Sequence, residues 1–250
     1  MWKNAKSFGA VVFLFFTACA TRQIATPSAS TLGAASFDER LNQGISFFEQ
    51  DEYGEAAARF KEAVALNEKS AQAHRYLGMS YFRLKDYDSA VGQLERAASL
   101  DPSLASVYNN LGALYCIKHQ YEKARDNFKK ALAIAPDAVP TNYNLGTLLL
   151  SLGETEEGST YLLKGIKLDP DYLDKHKEFA TILPSALLST PRTYFTYARL
   201  YASAGDVEKT VDYLKKARQA GFTDWKRIIE EKEFEKVRDD PRVLEFLKLI

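Results

Sequence analysis

The chain has 250 residues, 46% of them apolar, with 33 Lys and Arg set against 33 Asp and Glu. That length can bury a sizeable core. The balanced charge excludes the basic excess of a nucleic-acid binder and the acidic block of a disordered tail. The first element in chain order is not part of a fold. Lys3 and Lys6 precede an uninterrupted apolar or small run from Phe8 to Phe16, too short to span a bilayer, which takes about 20 residues. This is the pattern of a targeting segment.

The run ends in Phe16-Thr17-Ala18-Cys19. Small residues before a cysteine, directly after an apolar core, resemble a bacterial lipobox, with Phe16 where leucine is commoner. The resemblance implies cleavage of residues 1–18 and acylation of Cys19, which becomes the lipidated first residue of the mature chain. Two or three acyl chains hold firmly where one holds marginally, at about 0.8 kcal/mol per buried methylene. Ala20 follows the cysteine, and by resemblance to enterobacterial lipoproteins this favours outer-membrane sorting, with the chain facing the periplasm. The stretch Ala20 to Ser36 is small and polar and reads as a flexible tether, completing a segment 19–36 with a reach of about 20–25 Å.

From Phe37 a pattern repeats with a period of 34 residues. Gly44, Gly78, Gly112 and Gly146 share one position; Ala56, Ala90, Ala124 and Gly158 share another; Pro102, Pro136 and Pro170 a third. Within Ala105 to Ala138, Tyr108, Leu111 and Tyr115 fall at helical spacing, as do Tyr121, Ala124, Phe128 and Ala131 after a turn. Each unit is therefore a pair of amphipathic helices. One pair cannot bury its own apolar face and must stack on a neighbour. The small residues let helices approach, while Phe60, Leu94, Phe128 and Leu162 fill the remaining volume. Asp101-Pro102 and Asp169-Pro170 end their helices, because proline disfavours helix in the residue before it.

This helix-turn-helix period resembles the tetratricopeptide repeat (TPR) family. The resemblance implies an all-α, right-handed superhelical solenoid of antiparallel helix pairs. Four repeats follow at residues 37–70, 71–104, 105–138 and 139–172. The first has Glu68 where the closing proline would stand; the fourth carries Gly158 and Gly165 where alanine is usual. Glycine inside a helix costs about 1 kcal/mol, so the fourth unit is expected to be either the softest or the most closely packed. Residues 173–190 break the register: a helical start is interrupted by Pro184 and Pro191, and the spacer is expected to kink or widen the superhelix. A divergent repeat occupies 191–220, with Tyr194, Ala198, Tyr201, Gly205, Leu214 and Ala217 at the matching places. Residues 221–250 are read as capping helices. Gly221 suits a left-handed C-cap, Thr223 or Asp224 an N-cap, and Pro241 a first helical turn. The segment resembles a closing element found after many bacterial TPR arrays, through Gly221-Phe222, Asp224-Trp225, Arg238 and Asp240-Pro241-Arg242. Trp225 and Phe234 are expected to plug the open end.

Catalytic patterns are missing from the sequence. His74, His119 and His176 have no i,i+4 partner of metal-ligating type, no Gly-rich phosphate loop follows a strand, and no nucleophile elbow occurs. Cys116 has no basic pair beside it to activate a thiolate, and once Cys19 is acylated no intramolecular disulfide is possible. The expectation is a protein that is not an enzyme and has no metal or cofactor. What remains is a surface. In the TPR family the first helices of successive repeats line a concave groove. Carried onto this chain, the groove positions include Asn42, Ile45, Phe48, Arg75, Tyr76, Met79, Phe82, Arg83, Asn109, Asn110, Tyr143, Asn144 and Thr147. An asparagine offers both donor and acceptor to the amides of an extended peptide, while Ile45, Met79 and Phe82 would anchor apolar side chains. The family's chaperone-tail clamp requires a lysine and arginine set not present here. The layout of lipidated cysteine, tether and repeats resembles that of type IV pilus pilotins. It implies a membrane-anchored adaptor or assembly factor for a cell-envelope complex, with a protein or peptide segment as partner and no nucleic acid. A carrier for a small ligand or glycan, and an accessory subunit of an envelope enzyme, are the competing readings.

Overall fold

A computed structural model describes residues 36–175 and 190–248, and all regular structure among them is helical. The targeting segment, Cys19, the tether up to residue 35, and the part of the spacer that holds His176 and Pro184 lie outside the described residues. Eight helices form four hairpins: α1 (Phe37–Glu49) with α2 (Tyr53–Leu66), α3 (Ala71–Arg83) with α4 (Tyr87–Leu100), α5 (Ala105–Ile117) with α6 (Tyr121–Ile134), and α7 (Val139–Ser151) with α8 (Thr155–Leu168). A short turn of helix, α9 (Tyr172–Lys175), precedes a fifth hairpin of α10 (Pro191–Ala204) and α11 (Val207–Gln219). The chain closes with α12 (Arg227–Glu230), a 3-10 turn at Lys232–Phe234, and α13 (Pro241–Lys248). Each second helix packs on the next first helix, and α1, α3, α5 and α7 meet one another side by side.

The repeated glycine sets how closely each pair packs. A Cβ built on Gly44 would lie 2.5 Å from the Phe60 ring, and one on Gly112 2.5 Å from the Phe128 ring. On Gly78 it would lie 2.7 Å from Leu94, and on Gly146 2.6 Å from Leu162. Phe60, Leu94, Phe128 and Leu162 are all fully buried. In the fourth hairpin Gly158 would meet the Gly146 carbonyl at 2.8 Å, and Gly165 the Tyr143 ring at 2.9 Å. Its extra glycines thus go with close approach: α7 and α8 touch backbone to backbone.

The turn inside each hairpin has its own periodicity. Asp51, Lys85, His119 and Gly153 stand 34 apart and all take positive φ, at 61°, 63°, 56° and 87°; Gly205 at 84° does the same in the fifth hairpin. Each lies just past a first helix. The following amide reaches back to close the end, as Glu52 N–H donates to the Phe47 carbonyl, Asp86 to Tyr81, Gln120 to Tyr115, Glu154 to Leu149 and Asp206 to Tyr201. This is the Schellman arrangement, which satisfies carbonyls that the helix leaves orphaned. A second peg joins neighbouring hairpins. His74 Nε2 bonds the Glu68 carbonyl at 3.1 Å, and Asn142, at the same repeat position, donates to the Pro136 carbonyl at 3.0 Å.

The spacer opens no gap where the chain is described. Helix α10 lies on α8 as α7 lies on α6. Arg199 donates to Ser159 on α8, and Tyr201 Oη to the Pro170 carbonyl at 3.2 Å. At the closing segment, Phe222 stacks on Phe195 at 4.2 Å, Trp225 meets Phe222 and Phe246 edge-on, and Phe234 and Phe246 are buried. Gly221 has the left-handed conformation, φ 97°. Neither Thr223 nor Asp224 caps the next helix: α12 starts only at Arg227, with no side-chain cap bond.

These contacts separate two kinds of glycine. Gly54 and Gly92 lie in helices with nothing within 4 Å of an added Cβ. Gly54→Ala and Gly92→Ala are each expected to stabilise the fold by about 0.5–1 kcal/mol. Gly112→Ala forces a methyl into the Phe128 ring and is expected to cost about 2–3 kcal/mol. Urea unfolding of the three variants checks both signs.

Candidate partner-binding groove

The side-by-side first helices line a concave wall holding a cavity of about 410 Å³. Phe48 of α1, Met79, Phe82 and Arg83 of α3, and Asn109, Asn110 and Ala113 of α5 line it, with Pro140 and Asn144 of α7, Leu94 of α4 and Tyr172 of α9. Among the groove positions read from the sequence, Phe48, Met79, Phe82, Arg83, Asn109, Asn110 and Asn144 are brought together here. The walls are mainly aromatic and aliphatic, and the amides form the polar part. Asn144 Nδ2 donates to Asn109 Oδ1 at 3.0 Å, pre-orienting both side chains. Asn110 is half-buried and makes no hydrogen bond among the described residues, so its donor and acceptor stay open.

Other positions lie elsewhere. Asn42 is exposed on α1 outside the cavity, and Ile45 packs with Leu41 and Phe60 in the first core cluster. Tyr76 stacks on Phe60 at 5.2 Å and serves as packing. Arg75 lies over the ring of Tyr76, 4.2 Å from its centroid, with a nitrogen 3.6 Å from the Met79 sulfur. Arg83 lies 4.4 Å over Tyr53 and 3.6 Å from Asp51.

Two of the assigned groove residues, Tyr143 and Thr147, are corrected by the structure. Tyr143 is 1% exposed; it stacks on Tyr172 at 5.0 Å and its hydroxyl donates to the Asp169 carbonyl at 3.0 Å. The bare Gly165 backbone makes room for its ring. Thr147 is buried too, donating to the Tyr143 carbonyl at 2.6 Å and bonding the Tyr197 hydroxyl at 3.0 Å. Helix α10 covers these positions, so they belong to the core. Around them Tyr197 and Tyr201 both stack on Tyr213, at 5.1 and 5.3 Å. Lys209 ties the cluster to the turn after α8, with its ammonium 2.8 Å from the Pro170 carbonyl, 2.9 Å from Asp171 and 2.6 Å from Asp174. Burial alone would lower the Lys209 pKa, but the bonds from Asp174 and Asp171 outweigh it and hold the ammonium charged.

Pro140, Tyr172 and Leu94 were not among the sequence assignments. Helical spacing could have found Pro140, one turn ahead of Asn144. Tyr172 lies past the fourth hairpin, and no periodicity points to it. Cys116 is buried, and burial pushes its thiol pKa up to about 12, so it carries no reactive thiolate at neutral pH. His74 is held at both ring nitrogens, by the Glu68 carbonyl and by Gln93 at 2.7 Å. Among the described residues no group of His, Cys, Asp and Glu is placed to hold a metal ion, and no helix is long and apolar enough to cross a membrane.

Stacked helical hairpins with a concave wall of first helices define a repeat solenoid. Tetratricopeptide repeat models match residues 41–105 and 103–171, together just over half of the 250 residues. The chain belongs to the tetratricopeptide repeat family. No curated protein matches the sequence. Among solved structures, a MamA fragment from Desulfovibrio magneticus RS-1 is 17% identical with TM-score 0.54, over 75% of this chain and 96% of that one. YrrB, described as a TPR protein with an unusual peptide-binding site, is 17% identical with TM-score 0.51, over 84% and 91%. TTC0263 from Thermus thermophilus is 18% identical with TM-score 0.51, over 78% and 96%. At these identities the likeness is one of fold.

Two outcomes follow from the tyrosine core. Tyr143→Phe leaves the Asp169 carbonyl without its donor and is expected to cost about 1 kcal/mol of stability, seen as an earlier urea midpoint, with the groove unaltered. Alkali is expected to weaken the fold. Burial pushes Tyr115 up to about 12, helped by its bond to Glu95, and burial pushes Tyr197 to about 12 as well, against an ordinary value of 10. Tyr143 and Tyr213 shift upward too, first through burial. A tyrosine raised in this way contributes its full stability below its unfolded value. That contribution declines as pH climbs through the window from 10 to the folded value, because there the unfolded chain has already lost the proton. Urea midpoints should be flat below about pH 9 and fall above about pH 10, with much of the phenolate absorbance appearing only on unfolding.

Proposed function

We propose that this protein is a membrane-anchored adaptor that holds a segment of a cell-envelope partner in its concave groove. The observation that carries this reading is the cavity of about 410 Å³ shared by four successive hairpins, apolar along its walls and amide-lined at one side. Apolar pockets with a few fixed polar groups suit a bulky side chain and the peptide backbone beside it. Phe48, Met79 and Phe82 take the side chain; Asn110 and the Asn109–Asn144 pair face the backbone. YrrB, on the same fold, is described as having a peptide-binding site.

The anchor rests on the sequence around Cys19: a short apolar run, small residues and then the cysteine. With that anchor the solenoid stands on the periplasmic side of the outer membrane, a tether's length from the bilayer. Assembly of a pilus secretin is the specific process we favour, since lipidated cysteine, tether and repeats share the layout of the pilotins.

Two variants test the two halves of the proposal in cells. Cys19→Ser is expected to release the protein from membranes and to abolish labelling by an alkyne fatty acid. Met79→Asp with Asn110→Ala is expected to keep membrane attachment and helicity, and to remove the partner bands found by crosslinking and mass spectrometry of intact envelopes. Unchanged bands would refute the groove; unchanged membrane attachment of Cys19→Ser would refute the anchor.

A further inference from the structure

Carboxylates are distributed unevenly along the wall of first helices. The chain as a whole is neutral. Of the four first helices, α1 carries Asp38, Glu39 and Glu49, whereas α3, α5 and α7 contain no Asp or Glu. Their partners on the outer side are rich in them: Glu55 and Glu62 on α2, Asp88 and Glu95 on α4, Glu122 and Asp126 on α6, Glu156 and Glu157 on α8. The formal charges on α3, α5 and α7 are Arg75 and Arg83, both on α3.

These two arginines are held but poorly neutralised. Some arginines of the repeats find close carboxylates: Arg40 pairs with Glu62 at 2.7 Å, Arg59 with Glu62 at 2.9 Å, and Arg125 with Glu154. Arg75 has no acidic partner among the described residues. Its guanidinium lies flat on Tyr76 and its nitrogen reaches the Met79 sulfur, beside the cavity that Met79 lines. Arg83 lines the same cavity and has only Asp51 at 3.6 Å, a carboxylate 78% exposed. Arg75 is half-buried and Arg83 exposed, but a guanidinium already stacked on a ring loses little further freedom when it binds, and it matches a carboxylate with two parallel donors.

Spacing narrows the partner further. Arg75 and Arg83 are eight residues apart on one helix, which is about 12 Å along its axis. Met79 lies midway between them, with Phe82 close by, and both line the cavity. An extended chain covers about 13 Å in four residues, close to that rise, and its residues i, i+2 and i+4 project from the same side. We infer that the groove takes an acidic protein segment in extended form, with two carboxylate side chains four residues apart and a bulky apolar residue between them. The carboxylates pair with Arg75 and Arg83, and the apolar residue enters the cavity over Met79 and Phe82. This rests on the groove reading above and adds the chemistry of the occupant.

The test uses fluorescein-labelled peptides blocked at both ends, with the core Glu-Ser-Phe-Ser-Glu, against Gln-Ser-Phe-Ser-Gln and Glu-Ser-Ser-Ser-Glu. Binding to the purified protein is read by fluorescence anisotropy at low and physiological salt. The acidic aromatic peptide is expected to bind at least about tenfold more tightly than its glutamine counterpart at low salt, with the gap narrowing as salt rises. Arg75→Gln with Arg83→Gln is expected to erase that gap while leaving the far-ultraviolet dichroism unchanged, since neither arginine makes a close ion pair in the fold. Equal binding of the glutamate and glutamine peptides would overturn the acidic segment and leave the apolar groove standing. Equal binding of the phenylalanine and serine peptides would overturn the cavity as the anchor, and the groove reading with it. Absence of binding by all three overturns both.

Discussion

The structure depends on a contact made once in every hairpin, where a helix backbone with no side chain lies against a large buried one. Gly44 faces Phe60, Gly78 faces Leu94, Gly112 faces Phe128 and Gly146 faces Leu162. Because protein interiors are packed to crystal density, that contact sets the distance between the two helices. It also sets which face each helix turns outward. With the distance repeated, hairpins stack with their first helices in one row, and the row becomes a wall. The groove is thus a consequence of four glycines that never touch a ligand.

The fourth hairpin shows how far the same device can be pushed. Two further glycines, Gly158 and Gly165, remove the remaining Cβ atoms between α7 and α8, and the Tyr143 ring drops into the space beside Gly165. Thr147 follows it inward and bonds Tyr197 of the fifth hairpin. In this part of the solenoid, groove positions have become core, sealed by stacked tyrosines and fastened by Lys209 to the turn after α8. The open part of the groove is therefore the stretch between Phe48 and Asn144, with Tyr172 at its edge.

A solenoid separates two surfaces that a globular domain would mix. First helices turn one face to the groove and second helices turn theirs to solvent, so composition can differ between them with no change in net charge. Here α3, α5 and α7 carry no carboxylate, while those of the second helices form inter-hairpin ion pairs such as Lys129–Glu157 at 3.0 Å and, with the turns, Arg125–Glu154 and Lys118–Asp88. Exposed pairs of this kind add little stability individually. On the groove wall Arg75 has no acidic partner among the described residues, and Arg83 has Asp51 at 3.6 Å.

Much of this was legible from the residues. A period of 34 with glycine, alanine and proline in register is enough to specify helical hairpins that must stack, because period and side-chain size are local properties of the chain. The same logic located Phe48, Met79, Phe82, Arg83, Asn109, Asn110 and Asn144, which stacking of the first helices brings together around one cavity. Helical phase could not reveal that Tyr143 and Thr147, in the same phase, are covered, since Tyr143 lies against Tyr172 beyond the fourth hairpin and Thr147 against Tyr197 of α10, fifty residues further on. Nor could it reveal the left-handed turn at Asp51, Lys85 and His119, whose side chains share no chemistry. Repetition along the chain specifies contacts between neighbours; contacts across an interruption in the repeat exist only once the hairpins have stacked.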